Sequence, residues 1–217
     1  MARVVKHMKK KKIKKIILIV LIVIVLGAVI VKLTNGKENQ LKRLENLYNE
    51  LNTSQTYLFE MQESNEDRTI MAKKEDKTII DDYTKESHTT TIVKDNNTYL
   101  VLHDREEYYV YEQNNVEQSI LTDGLQDIVS KEFVTGAEKV KGKKYSYEEY
   151  QGSTMFMNTS SLDINEEDIK TRFYFDSDNN LVYIKTIKGS YQELLKVKID
   201  KEVDDLIFEI PSNYAEN

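Results

Sequence analysis

Two histidines, His88 and His103, lie in the long polar part of the chain; the third is His7. Paired imidazoles ligate transition ions when a carboxylate completes the set, and Glu106 or Glu107 is the candidate third ligand. The spacing is not that of a close ligand motif, so both are read as solvated side chains on a wet strand, and no metal is expected. Asp176-Ser177-Asp178-Asn179-Asn180 begins like a calcium loop. Leu181 stands where such a loop needs glycine and Ile187 where it needs a bidentate glutamate, so this stretch is read as a turn. Acidic pairs recur at Asp81-Asp82, Glu106-Glu107, Glu148-Glu149, Glu166-Glu167 and Asp204-Asp205. Catalytic carboxyls need a cleft that drives their pKa values apart, whereas neighbours on a strand point to opposite faces. The chain has no cysteine, which excludes a disulfide framework, a thiolate site and a lipid-modified cysteine. No nucleophile elbow, zinc-protease helix motif or phosphate loop occurs, so a non-enzymatic role without a cofactor is expected.

The aromatic residues are more informative. Phe59, Tyr99, Val101, Tyr109, Tyr111, Phe173 and Phe175 occupy alternate positions of strand-like runs. They form either an ordinary core under helices or a concave surface for an acyl chain or a partner's hydrophobic edge. The residues alone leave both open.

The elements that must position these side chains follow from the patterning. Residues 16–31 carry no polar side chain, and the run from Ile13 to Leu33 would span about 31 Å as a helix, against about 30 Å of hydrocarbon. Of the 31 basic residues, nine lie in residues 1–32, which hold no acid; the other 22 face 37 acidic residues, a balance of −15. Eight of those nine precede the apolar run, which predicts a cytoplasmic stem (1–15), a transmembrane helix (16–33), a linker (34–40) and an extracytoplasmic domain (41–217). The Lys9–Lys12 cluster is read as topogenic, not as a nucleic-acid contact. Cleavage after Ala28 is the rival reading, with a shorter apolar core than this one.

Leu41, Leu44, Tyr48 and Leu51 recur at helical spacing, so a helix is predicted over 39–51. Short β-branched runs follow at 56–62, 68–73, 77–84, 88–94, 98–103 and 107–112, with Asp95-Asn96-Asn97 as a hairpin turn. A second helix is expected from an Asn114 cap, its stripe carried by Val116, Ile120, Leu121, Leu125, Ile128 and Val129. Strands resume at 136–141, 145–151, 170–176, 181–188 and 191–199, and 206–211 is an edge strand or an extended arm ended by Pro211. This is a mainly β, α+β chain: about nine to eleven antiparallel strands with two helices covering one face and the other face wet.

The order of these elements resembles the LolA-like superfamily of lipoprotein carriers. The resemblance is carried by Val93 to Leu102 with Tyr109 to Tyr111, by Phe173 to Val182, and by Asp204 to Tyr214. It implies an incomplete antiparallel β-barrel closed by helices, with an apolar concave face. Within that superfamily the tethered form resembles the germination lipoproteins (GerS and relatives) of clostridial spore-formers, with a helix replacing the lipid anchor. That resemblance implies a membrane-held protein supporting an envelope or spore-cortex partner such as a cell-wall amidase; the alternative is a chaperone holding an acyl lipid or lipoprotein.

Overall fold

The computed structural model describes residues 42–64, 66–112, 120–152 and 168–217. The predicted transmembrane span at 16–33 and the Asn114 cap lie outside the described residues. Among the described residues no helix is long and apolar enough to cross a membrane.

Helix α1 (Arg43–Thr53) leads into six strands: β1 (Thr56–Gln62), β2 (Arg68–Lys74), β3 (Lys77–Tyr83), β4 (His88–Lys94), β5 (Asn97–Leu102) and β6 (Glu107–Glu112). Helix α2 (Ile120–Val129) follows, then β7 (Phe133–Val140), β8 (Lys143–Gln151), β9 (Ile169–Phe175), β10 (Leu181–Lys188), β11 (Tyr191–Asp200) and β12 (Ala215–Glu216). Among the described residues, these twelve strands join one sheet in the order β12-β6-β5-β4-β3-β2-β1-β11-β10-β9-β8-β7. The expectation of nine to eleven strands missed β12, a two-residue strand parallel to β6 that no periodicity announces. The sheet is open, with β12 and β7 as its two edges.

Turn chemistry sets the hairpins. Asp95 and Asn96 both take positive φ (52° and 59°), as do Lys141 and Gly142 (48° and 85°), the conformation of a two-residue type I′ turn. Its twist matches that of the flanking strands, which pins the registers Lys94↔Asn97 and Val140↔Lys143. At Asp176 the carboxylate accepts from the backbone N–H of Asp178 and of Asn180, each at 2.9 Å, so the calcium-like stretch is a turn closed by its own aspartate.

Both faces of the sheet are covered in part. On one face the helix residues Leu44, Leu51, Leu121, Leu125 and Ile128 pack on Tyr57, Phe59, Met61, Tyr150, Phe173, Phe175, Ile184 and Val197. Leu195, Val197 and Ile199 alternate with Lys196 and Lys198 as expected. The N-terminus of α1 is held by Glu148 of β8, whose buried carboxylate accepts from the N–H of Leu44 at 3.1 Å and from the Tyr150 hydroxyl at 3.2 Å. A negative group there satisfies an otherwise orphaned donor and complements the helix dipole.

The opposite face was expected to be wet, and over β1 to β6 it is not. The C-terminal segment crosses it as an arm, placing Val203 and Phe208 on Ala72, Ile79, Ile92 and Val101, with Ile207, Ile210 and Tyr214 packed alongside. Three lysines of the sheet fasten the arm. Lys74 donates to the Val203 carbonyl (3.1 Å) and pairs with Asp205 (2.6 Å), which Lys77 also reaches at 3.3 Å. Lys94 donates to the Phe208 carbonyl at 2.8 Å and pairs with Glu209 at 3.1 Å. Of the two alternatives for 206–211, the arm is the one adopted: a single 3-10 turn at Asp205–Phe208 and then extended chain.

Candidate ligand pocket

Between the arm and the sheet lies a pocket of about 270 Å³. Its walls are Leu58, Ile70, Ile79, Ile92 and Val101 from β1 to β5; Ile207, Glu209 and Pro211 of the arm border it; Arg68, Asp81, Thr90 and His103 supply the polar groups. The register explains the division. Ile79 and Asp81 alternate on β3, His88, Thr90 and Ile92 on β4, and Val101 precedes His103 by two residues. Ile79 pairs with Ile92, Asp81 with Thr90, and Thr90 with Val101, so one end of the face is aliphatic and the other hydrogen-bonding.

The polar end has a determinate wiring. Asp81 Oδ1 accepts from His88 Nε2 at 2.8 Å and from the Thr90 hydroxyl at 2.5 Å. Thr90 has one proton, and it is committed to Asp81. Its oxygen therefore accepts from His103 Nε2, 2.7 Å away, and a neutral His103 accepts at Nδ1 from the Tyr214 hydroxyl at 3.1 Å. Four rings line up across this end. Tyr83 meets His88 edge-on (centroids 5.2 Å apart), His88 stacks on His103 (3.7 Å, 10° between planes), and His103 meets Tyr214 edge-on at 5.5 Å. Arg68 stands 3.9 Å from the other Asp81 oxygen. Burial is the largest cause holding the His103 imidazole below its ordinary pKa; the adjacent His88 adds to it, and Asp81 and Asp104 oppose it.

The two histidines are thus not solvated groups on a wet strand, because the arm covers the face that carries them. Their carboxylate neighbour is Asp81, not Glu106 or Glu107. The signal available in the sequence was a polar residue interrupting the same end of three adjacent apolar alternations, which becomes a cluster only once the hairpin registers are applied.

The seven aromatic-pattern residues do not share one face. Phe59, Phe173 and Phe175 are buried under the helices. Tyr99 and Val101 belong to the arm-covered face, and Val101 lines the pocket. On β6, Tyr109 and Tyr111 pair with Leu100 and Thr98, on the face opposite Tyr99 and Val101. Tyr109 accepts from the Asn217 amide at 3.1 Å, and Tyr111 is 52% exposed. The registers Phe59↔Met71↔Ile80↔Thr91↔Leu100↔Tyr109 put Tyr109 on the face of Phe59 and leave Tyr99 and Val101 on the other, so the hairpins between β2 and β5 make the split and the turn after β5 reverses it.

A second polar cluster lies in the other half of the sheet, on the face opposite Phe173 and Phe175. Arg172 bonds Glu149 (2.5 Å) and Glu138 (2.7 Å) with its guanidinium 4.7 Å from the Tyr147 ring centre; Tyr174 and Lys185 also donate to Glu138. The Tyr174 hydrogen bond leads in holding the Glu138 carboxyl below its ordinary pKa, with Lys185 and Arg172 adding to it against the effect of burial. Each charge in this network has its partners on the sheet itself, so it reads as a strut.

Fold and site together define a mainly β domain built on one open sheet, with an amphipathic pocket roofed by its own C-terminal arm. No known family model matches the chain, and no curated protein is similar to it. Among solved structures, the chain is similar to an uncharacterized conserved protein from Thermus thermophilus, with 9% identity and a TM-score of 0.44 over 84% of this chain and 98% of that one. It is also similar to the lipoprotein LppX from Mycobacterium tuberculosis, with 11% identity and a TM-score of 0.40 over 76% of this chain and 96% of that one.

Proposed function

We propose that this chain is a non-enzymatic, LolA-like binding protein, held at the cell membrane by residues 16–33 with its domain outside, which takes an apolar chain from a lipid or lipid-modified protein into the arm-roofed pocket. The observation that supports this reading is the pocket: aliphatic walls from β1 to β5, a polar end, and a roof made by a separable segment. Its 270 Å³ is just below the roughly 300–1,000 Å³ of pockets for drug-sized ligands, so it suits one chain segment and not a whole lipid. Each methylene buried there contributes about 0.8 kcal/mol. A membrane tether would keep such a site beside its source of lipid.

The test is photolabelling of the full chain in native membranes with a diazirine fatty acid. Label on peptides carrying Ile70, Ile92 or Ile207, reduced in Ile70→Trp, supports the reading. No label, or equal labelling in that variant, refutes it.

A second reading is a supporting module for an envelope protein such as a cell-wall amidase, in the manner of the germination lipoproteins. It draws on the β7 edge, where Val134 is 60% exposed on a terminal strand of the sheet, a site for strand addition by a partner. Crosslinking from intact envelopes should then return one stoichiometric protein through β7; an empty result counts against it.

A further inference from the structure

We propose that Asp81, His88 and His103 form a binding site for a divalent first-row transition ion of the zinc class. The proposal goes beyond the lipid reading: it concerns the polar end of the same pocket, and its ligands come from the chain itself. One oxygen of Asp81 and one ring nitrogen of each histidine lie within 4.8 Å of one another, all three residues half-buried. Around a tetrahedral ion with bonds near 2.1 Å, ligand atoms lie roughly 3.4 Å apart. The His88 Nε2 to Asp81 Oδ1 separation is 2.8 Å, so that pair needs only to open slightly. His103 completes the set by moving its Nε2 from Thr90 toward the same point.

The donor set has the right chemistry. Two neutral imidazoles and one carboxylate carry a single negative charge, and imidazole with carboxylate suits zinc, cobalt, nickel and ferrous iron. His103 has an orienting partner already in place. In the metal-free wiring both Nε2 atoms donate. Ligation takes the Nε2 lone pairs, so each ring keeps its proton on Nδ1, and His103 Nδ1–H then donates to the Tyr214 oxygen that previously donated to it. Because lone pairs lie in the ring planes, the stack of the two imidazoles at 3.7 Å and 10° must splay as the ion enters. Arg68, 3.9 Å from Asp81 and 41% exposed, opposes the ion electrostatically but is free to swing into solvent. The fourth position is left to water.

The experiment uses the full chain in a mild detergent, freed of metal with a chelator, and titrated with Co(II). Visible d–d bands should appear, saturate at one equivalent and vanish when Zn(II) is added. His88→Ala and His103→Ala should each abolish the bands, Tyr214→Phe should weaken binding about 10–100-fold, and His7→Ala should change nothing. Since a ligand variant can lose its fold, the imidazole nitrogens of the unaltered chain are also followed by NMR on adding Zn(II): the Nε2 signals of His88 and His103 should shift together, and that of His7 should not. Absence of d–d bands under excess Co(II), bands that survive His88→Ala and His103→Ala, or a shift confined to His7 overturns the proposal.

Discussion

Phe208 should be the residue that keeps the roof closed, and its removal separates the arm's own stability from that of the sheet. The side chain is fully buried on Ala72, Ile79, Ile92 and Val101, with Lys77 Nζ 5.9 Å from its ring centre. Truncating a buried Phe to Ala costs about 3–5 kcal/mol. The lysine clasps are weaker rivals. Asp205 and Glu209 are 59% and 58% exposed, so water and salt screen their pairs and these contribute little. Phe208→Ala should therefore release the arm while leaving the helix-covered core intact. At about 1.4 kcal/mol per decade, the amides of residues 203–217 should exchange with solvent about 100- to 4,000-fold faster. The reporters are the N–H groups of Ala215 and Asn217, which now donate to the carbonyls of Glu106 and Tyr108 at 3.0 and 2.9 Å. Hydrogen-exchange mass spectrometry of the full chain, with Lys74→Ala alongside, reads the result. An acceleration below about tenfold in Phe208→Ala, or an equal one in Lys74→Ala, would refute the ranking of burial over ion pairing.

Other substitutions probe the elements that hold the sheet. Gly136 faces the ring of Tyr147 so closely that an added Cβ would collide with it, so Gly136→Ala should destabilise by about 1–3 kcal/mol in urea unfolding, and Tyr147→Ala in the same chain should recover most of the loss. Glu148→Gln keeps an acceptor at the N-terminus of α1 and should cost about 1 kcal/mol, whereas Glu148→Leu strands the Leu44 N–H and should cost more, read as loss of helical circular dichroism at lower urea. The pKa of Glu138 is depressed in the folded state, so its network stabilises the fold fully above the unfolded value of about 4.3, and that contribution is lost as pH falls through the lower folded value. Acid unfolding followed by circular dichroism should be less steep in Glu138→Gln over that window, and unchanged steepness would count against the network.

What could be read in advance was local. The hairpin strands, the turn at Asp95 and Asn96 and the stripe through Leu121, Leu125 and Ile128 all follow from spacings of two or of three and four residues, and each appears where expected. What could not be read joins residues far apart. Glu148 meets Leu44 across 104 positions and Tyr214 meets His103 across 111, and no periodicity carries such a pairing. The arm is the largest case. Residues 206–211 were legible as an edge strand or an extended arm, but nothing in their pattern said which face of the sheet Ile207, Phe208 and Ile210 cover. Asp81 is intermediate: its partners were a short register calculation away, but only on the premise that its face is covered.

The joint between β1 and β11 sets an order on how the domain can be made. Strand β1 ends at Gln62 and pairs with a strand that begins at Tyr191, so during synthesis its second edge stays open until nearly the whole chain has emerged. The meander β1 to β6 can zip as each hairpin leaves the ribosome or translocon, yet neither the central seam nor the roof can form before the last strands arrive. Contacts of such long sequence separation slow folding and leave an unpaired edge exposed to other chains. A nascent form of this protein should therefore depend on an edge-protecting chaperone late in its synthesis, at the stage when β1 waits for its partner.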